Sequence, residues 1–372
     1  PPRSTLFPYT TLFRSVLLAI SMTLPLYSQG TKEAAVDTSQ YVYETKGPTG
    51  EAPTDYSKVV LTTAEKDAVK KAKYKVAILM HESSDWVNAV IAGARSMRAE
   101  LNMDVVAVTD AGQDPNKQRT DIETTLALNP DIIITLVLDP VSGSVALKQA
   151  VDKGVKVVLI SNLPSNFTHG KDYAGIVTDD LFQMGKSVAD MIGKYLNGKG
   201  EVALMFHDAN YYVTNQRDQA VEAVLRRDYP NIKIVAKRGI VNANDSETLA
   251  SAILTQYPNV DAIYAPWDVL AEGVVAAART AGNKNVGVFT IDLGANNAMD
   301  MAKGGNMKGV VADLPYVLGE SLVKMGALSM LGKETPAFVT VPAISITKEN
   351  ISAAWKQSLN RDLPTEIAQA LK

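Results

Sequence analysis

Polar and aromatic residues stand at the ends of successive apolar runs in this chain. Ser83-Ser84-Asp85-Trp86 follows KVAILM, and Ser161-Asn162 follows VKVVLI. Trp267-Asp268 closes AIYAP, Asp292 follows VGVFTI, and Asp313 follows KGVVA. A carboxylate accepts charge-assisted hydrogen bonds, an asparagine both donates and accepts, and an indole offers an apolar face with one N–H. Gathered around one cavity, these groups suit a sugar-sized molecule whose hydroxyls donate and accept. The same carboxylates and indoles also suit a cation, through charge and cation–π attraction.

Other chemistries find no footing. The segment Gly193-Lys-Tyr-Leu-Asn-Gly198-Lys199 has phosphate-loop spacing, but Gly200 stands where Ser or Thr is needed. It also follows a helical pattern and precedes a strand, the reverse of the required order. No G-x-G-x-x-G follows the first strand and no G-x-S-x-G elbow is present. His81, His169 and His207 are widely spaced and form no metal-ligand pair. His81-Glu82 and His207-Asp208 end strands in opposite lobes, where a metal or acid–base site across the cleft is the alternative, but the histidines read as locally packed or hydrogen-bonded loop residues. Cysteine is absent, which excludes disulfides and thiolate chemistry. We expect no enzyme activity, no metal and no cofactor.

The elements that must position these residues alternate. Strand-like runs occur at 75–80, 104–109, 131–137, 155–160 and 173–177, and again at 201–206, 232–236, 260–265, 286–291 and 308–312. They are dense in Val and Ile without in/out alternation, as strands buried on both faces are. Helical periodicity fills the gaps at 86–100, 115–128, 141–153, 180–197, 214–228, 246–256, 269–281 and 316–331, with Gly154 and Gly282 at expected C-caps. The expected fold class is α/β, with two Rossmann-like, doubly wound parallel-sheet lobes joined by a hinge. In such sheets ligands bind outside the carboxyl ends of the strands. The first lobe is expected to comprise 74–178 plus 314–341, and the second 179–313 plus 342–372. VTV and ISIT in the tail read as edge strands.

Ahead of the lobes, Thr62-x-x-Glu65 is a capping box, and 31–73 reads as an extension. Residues 16–27 (VLLAISMTLPLY) are too short to span a bilayer and fit the core of a secretory signal, cleaved near Ser28 to Gly30. The preceding PPRSTLFPYTTLFRS resembles a translated adapter fragment, so residues 1–30 are left out of the fold. A net charge of −3 over 372 residues, with 21% charged residues and no long basic run, argues against nucleic acid as a partner.

Taken together, SSDWVNAVIAGA, PDIIITLVLDP, TDDLFQMG, NQRDQAV, AIYAPWDVLAEGVVAAARTAG, FTIDLG and VVADLPYVLG resemble the periplasmic sugar-binding proteins of ABC transporters. Within these the chain is most similar to the ribose-binding type, whose fold LacI-type repressors share. The resemblance implies a secreted, periplasmic or extracytoplasmic, monomeric solute-binding protein. It would deliver a monosaccharide or polyol to a membrane ABC permease. It places ligand contacts on Ser84, Trp86, Ser161, Asn162, Asn215, Trp267, Asp292 and Asp313, with Asn242 or Asn244 as a further contact. Asp292 could instead cap a helix, and Asp313 could serve the hinge.

The chain departs from the ribose pattern. Ribose binders commonly carry Asp-Arg where Ser161-Asn162 stands, Arg where Asn215 stands and Asn where Trp267 stands. The expected site therefore has two acids, two indoles and no arginine. A cationic ligand and a sensory role coupled to a chemoreceptor or kinase are the alternatives. A repressor is disfavoured, because a signal-like segment stands where its DNA-binding helices belong.

Overall fold

The computed structural model describes residues 41–372, so the expected export signal lies outside the described residues. The Val/Ile runs become strands covered on both faces. β2 (Lys75–Met80) is buried from Val76 onward, and β4 (Ile132–Thr135) and β6 (Gly175–Asp179) are buried throughout. They join β1 (Thr54–Asp55), β3 (Asp104–Asp110), β5 (Lys156–Ile160) and β12 (Phe338–Val341) in a sheet ordered β1-β12-β6-β5-β4-β2-β3, parallel throughout. The second sheet contains β7 (Gly200–His207), β8 (Ile232–Ile240), β9 (Ala262–Ala265), β10 (Gly287–Ile291), β11 (Met307–Ala312) and β13 (Ile344–Ile346). Its order is β13-β11-β10-β9-β7-β8, with only β13 antiparallel. This is the two-lobed α/β architecture anticipated above.

The chain passes from one sheet to the other after β6, after β11 and between β12 and β13. Helix α5 (Leu181–Tyr195) thus packs on α6 (Tyr212–Asp228) and the second sheet. Helix α10 (Pro315–Met330) returns to pack on α2 (Asp85–Glu100) and β5. Glycines let these helix pairs approach closely. A methyl at Gly93 of α2 would lie 1.9 Å from the Tyr316 carbonyl oxygen, and one at Gly319 of α10 would lie 2.1 Å from that of Val90. The approach seats Trp86 on α2 against Asp313, which precedes α10.

VTV becomes β12, which is interior and not an edge strand. The reason lies in the extension, which supplies β1 and covers it. The capping box forms at Thr62 and Glu65 and opens α1 (Thr63–Ala72). Val59 and Leu61 are buried in the first lobe. The same extension also touches the second lobe. The Arg227 guanidinium lies 4.6 Å over the Tyr43 ring, and the Thr45 hydroxyl bonds Asp180 while accepting from the Phe182 amide at 2.9 Å. Leu61→Ala should cost about 2–4 kcal/mol by opening a cavity, whereas Val60→Ala, at an exposed position, should stay within about 0.5 kcal/mol. Urea denaturation of both variants tests whether the extension belongs to the fold, and equal midpoints would refute it.

Candidate functional site

The carboxyl ends of both sheets face one cavity of about 560 Å³, counted out to its mouth. Trp86 reaches it from the first lobe. Ser84 caps α2 by accepting from the Val87 amide at 3.2 Å, which sets the helix start that carries the indole. The Trp86 Nε1 donates to Asp313 Oδ1 at 2.9 Å. Trp267 reaches the cavity from the second lobe, at the N-terminus of α8 (Asp268–Thr280), with its ring edge-on to His207 at 5.1 Å. Ser161 lines the wall with a left-handed backbone (φ 53°), its hydroxyl 2.7 Å from that of Thr178. Asp292 lines it with φ 69°, directly after β10.

Four expected contacts stand elsewhere. Asn162 is buried behind the wall. It donates to the Val137 carbonyl at 2.9 Å and accepts from the Val213 amide at 3.1 Å, joining the first lobe to α6. Asn215 clamps its own loop, donating to the His207 carbonyl and accepting from the Tyr211 amide, each at 3.0 Å. Asp313 sits behind Trp86, 1% exposed, with Oδ2 unpartnered. Asn242 and Asn244 are exposed in a turn and do not reach the cavity.

The expectation of a site without arginine is overturned by Arg217. It lies two residues beyond Asn215, on the inner face of α6, and lines the cavity at 6% exposure. Its Nη1 is 3.4 Å from Asp179 Oδ2 and 3.4 Å from Asp292 Oδ1. Burial alone would depress the guanidinium, but Asp292 and Asp179 outweigh it and hold the charge. The sequence carried a signal for this residue, because Arg217 interrupts the apolar stripe Val213, Ala220, Val221, Val224 of α6. A buried arginine on such a stripe needs carboxylate partners.

Glu82, Gln113, Asp179, Asp268 and both strand-end histidines also line the cavity, though none was among the expected ligand contacts. His81 packs edge-on to Trp86 with centroids 6.3 Å apart, and His207 Nδ1 lies 2.8 Å from the Thr214 hydroxyl. These packed and bonded settings agree with the local role expected of loop histidines, but they also place both rings on the wall. Burial lowers each to about 4, so both are neutral near pH 7; Arg217 adds to the effect at His207. Burial also raises Asp292, to about 6 despite the opposing Arg217, and Asp313, well above the carboxylate range.

The lobes meet around the cavity in a closed arrangement. Asp85 of the first lobe accepts from the Ala295 amide at 2.8 Å and pairs with Arg361 of the second. Ala295 opens helix α9 (Ala295–Ala302), so this carboxylate also sits at a helix N-terminus.

This fold and site define a binding protein of the periplasmic type, and the chain belongs to the periplasmic binding protein domain family, whose model matches residues 76–334. It is similar to a Rhizobium meliloti protein named for rhizopine binding, 25% identical over 66% of this chain and 80% of that one. A xylitol-binding protein of Mycolicibacterium smegmatis is 22% identical over 75% and 79%. Among solved structures, an ABC transporter solute-binding protein of Agrobacterium vitis bound with alpha-D-tagatopyranose shares the fold. Its TM-score is 0.69 at 18% identity, covering 75% of this chain and 96% of that one.

Asp313→Asn, which keeps an acceptor for Trp86, should cost less than Asp313→Ala, which should lose about 1–3 kcal/mol by stranding the indole N–H. Chemical denaturation separates the two, and an equal loss in both would show that the indole bond does not carry the effect. Each group's pH dependence has a definite sign. His81 and His207, lowered to about 4, add stability that is present above about pH 6.5 and lost in acid. Asp292, raised to about 6, and Asp218, raised to about 7 by burial, add stability that is present in acid and lost as pH rises through those values. Between about pH 6.5 and 8 the unfolded histidines still shed protons while Asp292 and Asp218 shed theirs in the folded state, so the two trends oppose. Stability of the unliganded protein should then change by less than about 0.5 kcal/mol, and a fall or rise of well over about 1 kcal/mol in that window would contradict the assignment.

Proposed function

We propose that this protein is an extracytoplasmic solute receptor that captures a monosaccharide or polyol between its lobes and hands it to an ABC permease. It works as a monomer and does no chemistry on the solute. The observation that carries the reading is the cavity itself. An indole from each lobe and hydrogen-bonding groups at the strand ends surround one space, the mix of apolar faces and a few convergent polar groups that small-molecule sites carry. Sugars and polyols named for the xylitol-binding and tagatopyranose-bound relatives support the ligand class. The periplasmic setting of the family supports the location. Among the described residues no helix is long and apolar enough to cross a membrane.

In this reading Trp86 and Trp267 cover ring faces or carbon chains, while Asp292, Ser161 and the Arg217 guanidinium take the hydroxyls. Net hydrogen bonds of about 0.5–1.5 kcal/mol each, with the two rings, reach the roughly 8 kcal/mol of a micromolar complex. Thermal denaturation with a panel of sugars and polyols tests the class. A ligand at about 100 times its dissociation constant adds about 2.7 kcal/mol, and a panel that leaves the melting temperature unchanged would overturn the reading.

With the ligand found, Trp267→Ala should weaken it by about 1 kcal/mol or more, and tryptophan fluorescence should change on binding. Wild-type affinity in this variant would remove Trp267 from the contact surface. Asp85→Ala, which loses the Ala295 amide and Arg361, should enlarge the unliganded radius of gyration in small-angle scattering, with saturating ligand restoring the smaller value. An unliganded radius equal to that of the wild type would show that this latch does not hold the lobes together.

A further inference from the structure

The charges lining the cavity do not balance. Glu82, Asp179, Asp268 and Asp292 supply four carboxylates, and Arg217 is the only Lys or Arg among the described lining residues. Arg217 is engaged by Asp179 and Asp292. That leaves Glu82 on the first lobe and Asp268 on the second without a cationic partner. Glu82 accepts from Gln113 Nε2 at 2.7 Å, a neutral amide. Asp268 is 5% exposed, and among the described residues its carboxylate receives no hydrogen bond from another side chain. The two line the same space, and Glu82 acts on Asp268 as a like charge after the larger effects of burial and Asp292. An uncharged solute leaves both without a counter-charge in a medium that screens poorly.

We propose that the solute carries a basic amine, as an amino sugar or amino polyol does, and that its ammonium docks between Glu82 and Asp268. The inference rests on reading the cavity as the solute site. An ammonium there turns repulsion between the lobes into attraction, so that amine recognition and closure become one event. The hydroxyls keep their place, because Ser161, Thr214 and Gln113 supply neutral hydrogen-bonding groups and the indoles supply apolar faces. Burial holds Glu82 and Asp268 above the ordinary carboxylate range in the empty cavity, as expected of acids awaiting a counter-charge.

Titration calorimetry on the full chain with matched pairs tests this: D-glucosamine against D-glucose, D-galactosamine against D-galactose, an aminocyclitol against myo-inositol, and 1,4-diaminobutane as an amine without hydroxyls. In any pair that binds, the amine should bind at least about tenfold tighter at low salt, with the preference shrinking as ionic strength rises. Glu82→Gln and Asp268→Asn should each reduce that preference to less than about threefold. The two variants alter different lobes, so misfolding of one, checked by its melting curve, leaves the other as the test. A neutral member that binds as tightly as its amine, or a preference that survives both variants, would overturn the inference and leave the sugar-receptor reading standing. Binding of the diamine with none of the hydroxylated compounds, or of no compound at all, would overturn that reading too.

Discussion

A single buried guanidinium organises the centre of this molecule. Removing Arg217 from water costs several kcal/mol unless carboxylates meet it in good geometry. Its partners come from both sheets. Asp179 ends β6 in the first, and Asp292 follows β10 in the second. The charge is therefore balanced only when strand ends from both lobes converge on α6. Much of the local geometry serves that convergence. Gly185 lets α5 lie against α6, since a methyl there would sit 2.3 Å from the Arg217 carbonyl oxygen. Asp292 accepts a left-handed backbone in order to turn its carboxylate inward.

Closure is held at the rim and left open at the centre. Asp85 with Ala295 and Arg361, and Asn162 with Val213, join the lobes outside the cavity. Inside it, four carboxylates among the described lining residues face the single guanidinium of Arg217. The ties between the lobes are few, so what fills the cavity can shift the balance between open and closed forms.

The sequence reading reached the architecture because buried parallel strands announce themselves by composition, and helix ends by Gly154, Gly282 and the Thr62 capping box. It reached Ser84, Trp86, Ser161, Trp267 and Asp292 as cavity residues because they directly follow strands. It misplaced Asn215 because the first turn of a helix presents several faces, and side-chain direction there is set by packing. Asn215 turns back to clamp the β7–α6 loop, while Arg217, two residues and so about 200° further round the helix, points inward. Asn162 is turned behind the wall by the left-handed backbone at Ser161. Glu82, Gln113 and Asp268 also stand just past strand ends, but the residue pattern does not mark which loop residues turn inward.

The extension adds a constraint that the strand pattern could not show. It is tied to the second lobe at Tyr43 and Thr45 and to the first lobe at β1, Val59 and Leu61. It therefore forms a fourth connection beside the three passages of the chain between sheets. Its contacts on Asp180 and Phe182 lie immediately after the passage from β6 to α5, where rotation between lobes displaces atoms least. A tie at that position can survive opening while resisting twist of one lobe against the other. The strand ends that must meet Arg217 from both sides are thereby kept in register through the motion that fills and empties the cavity.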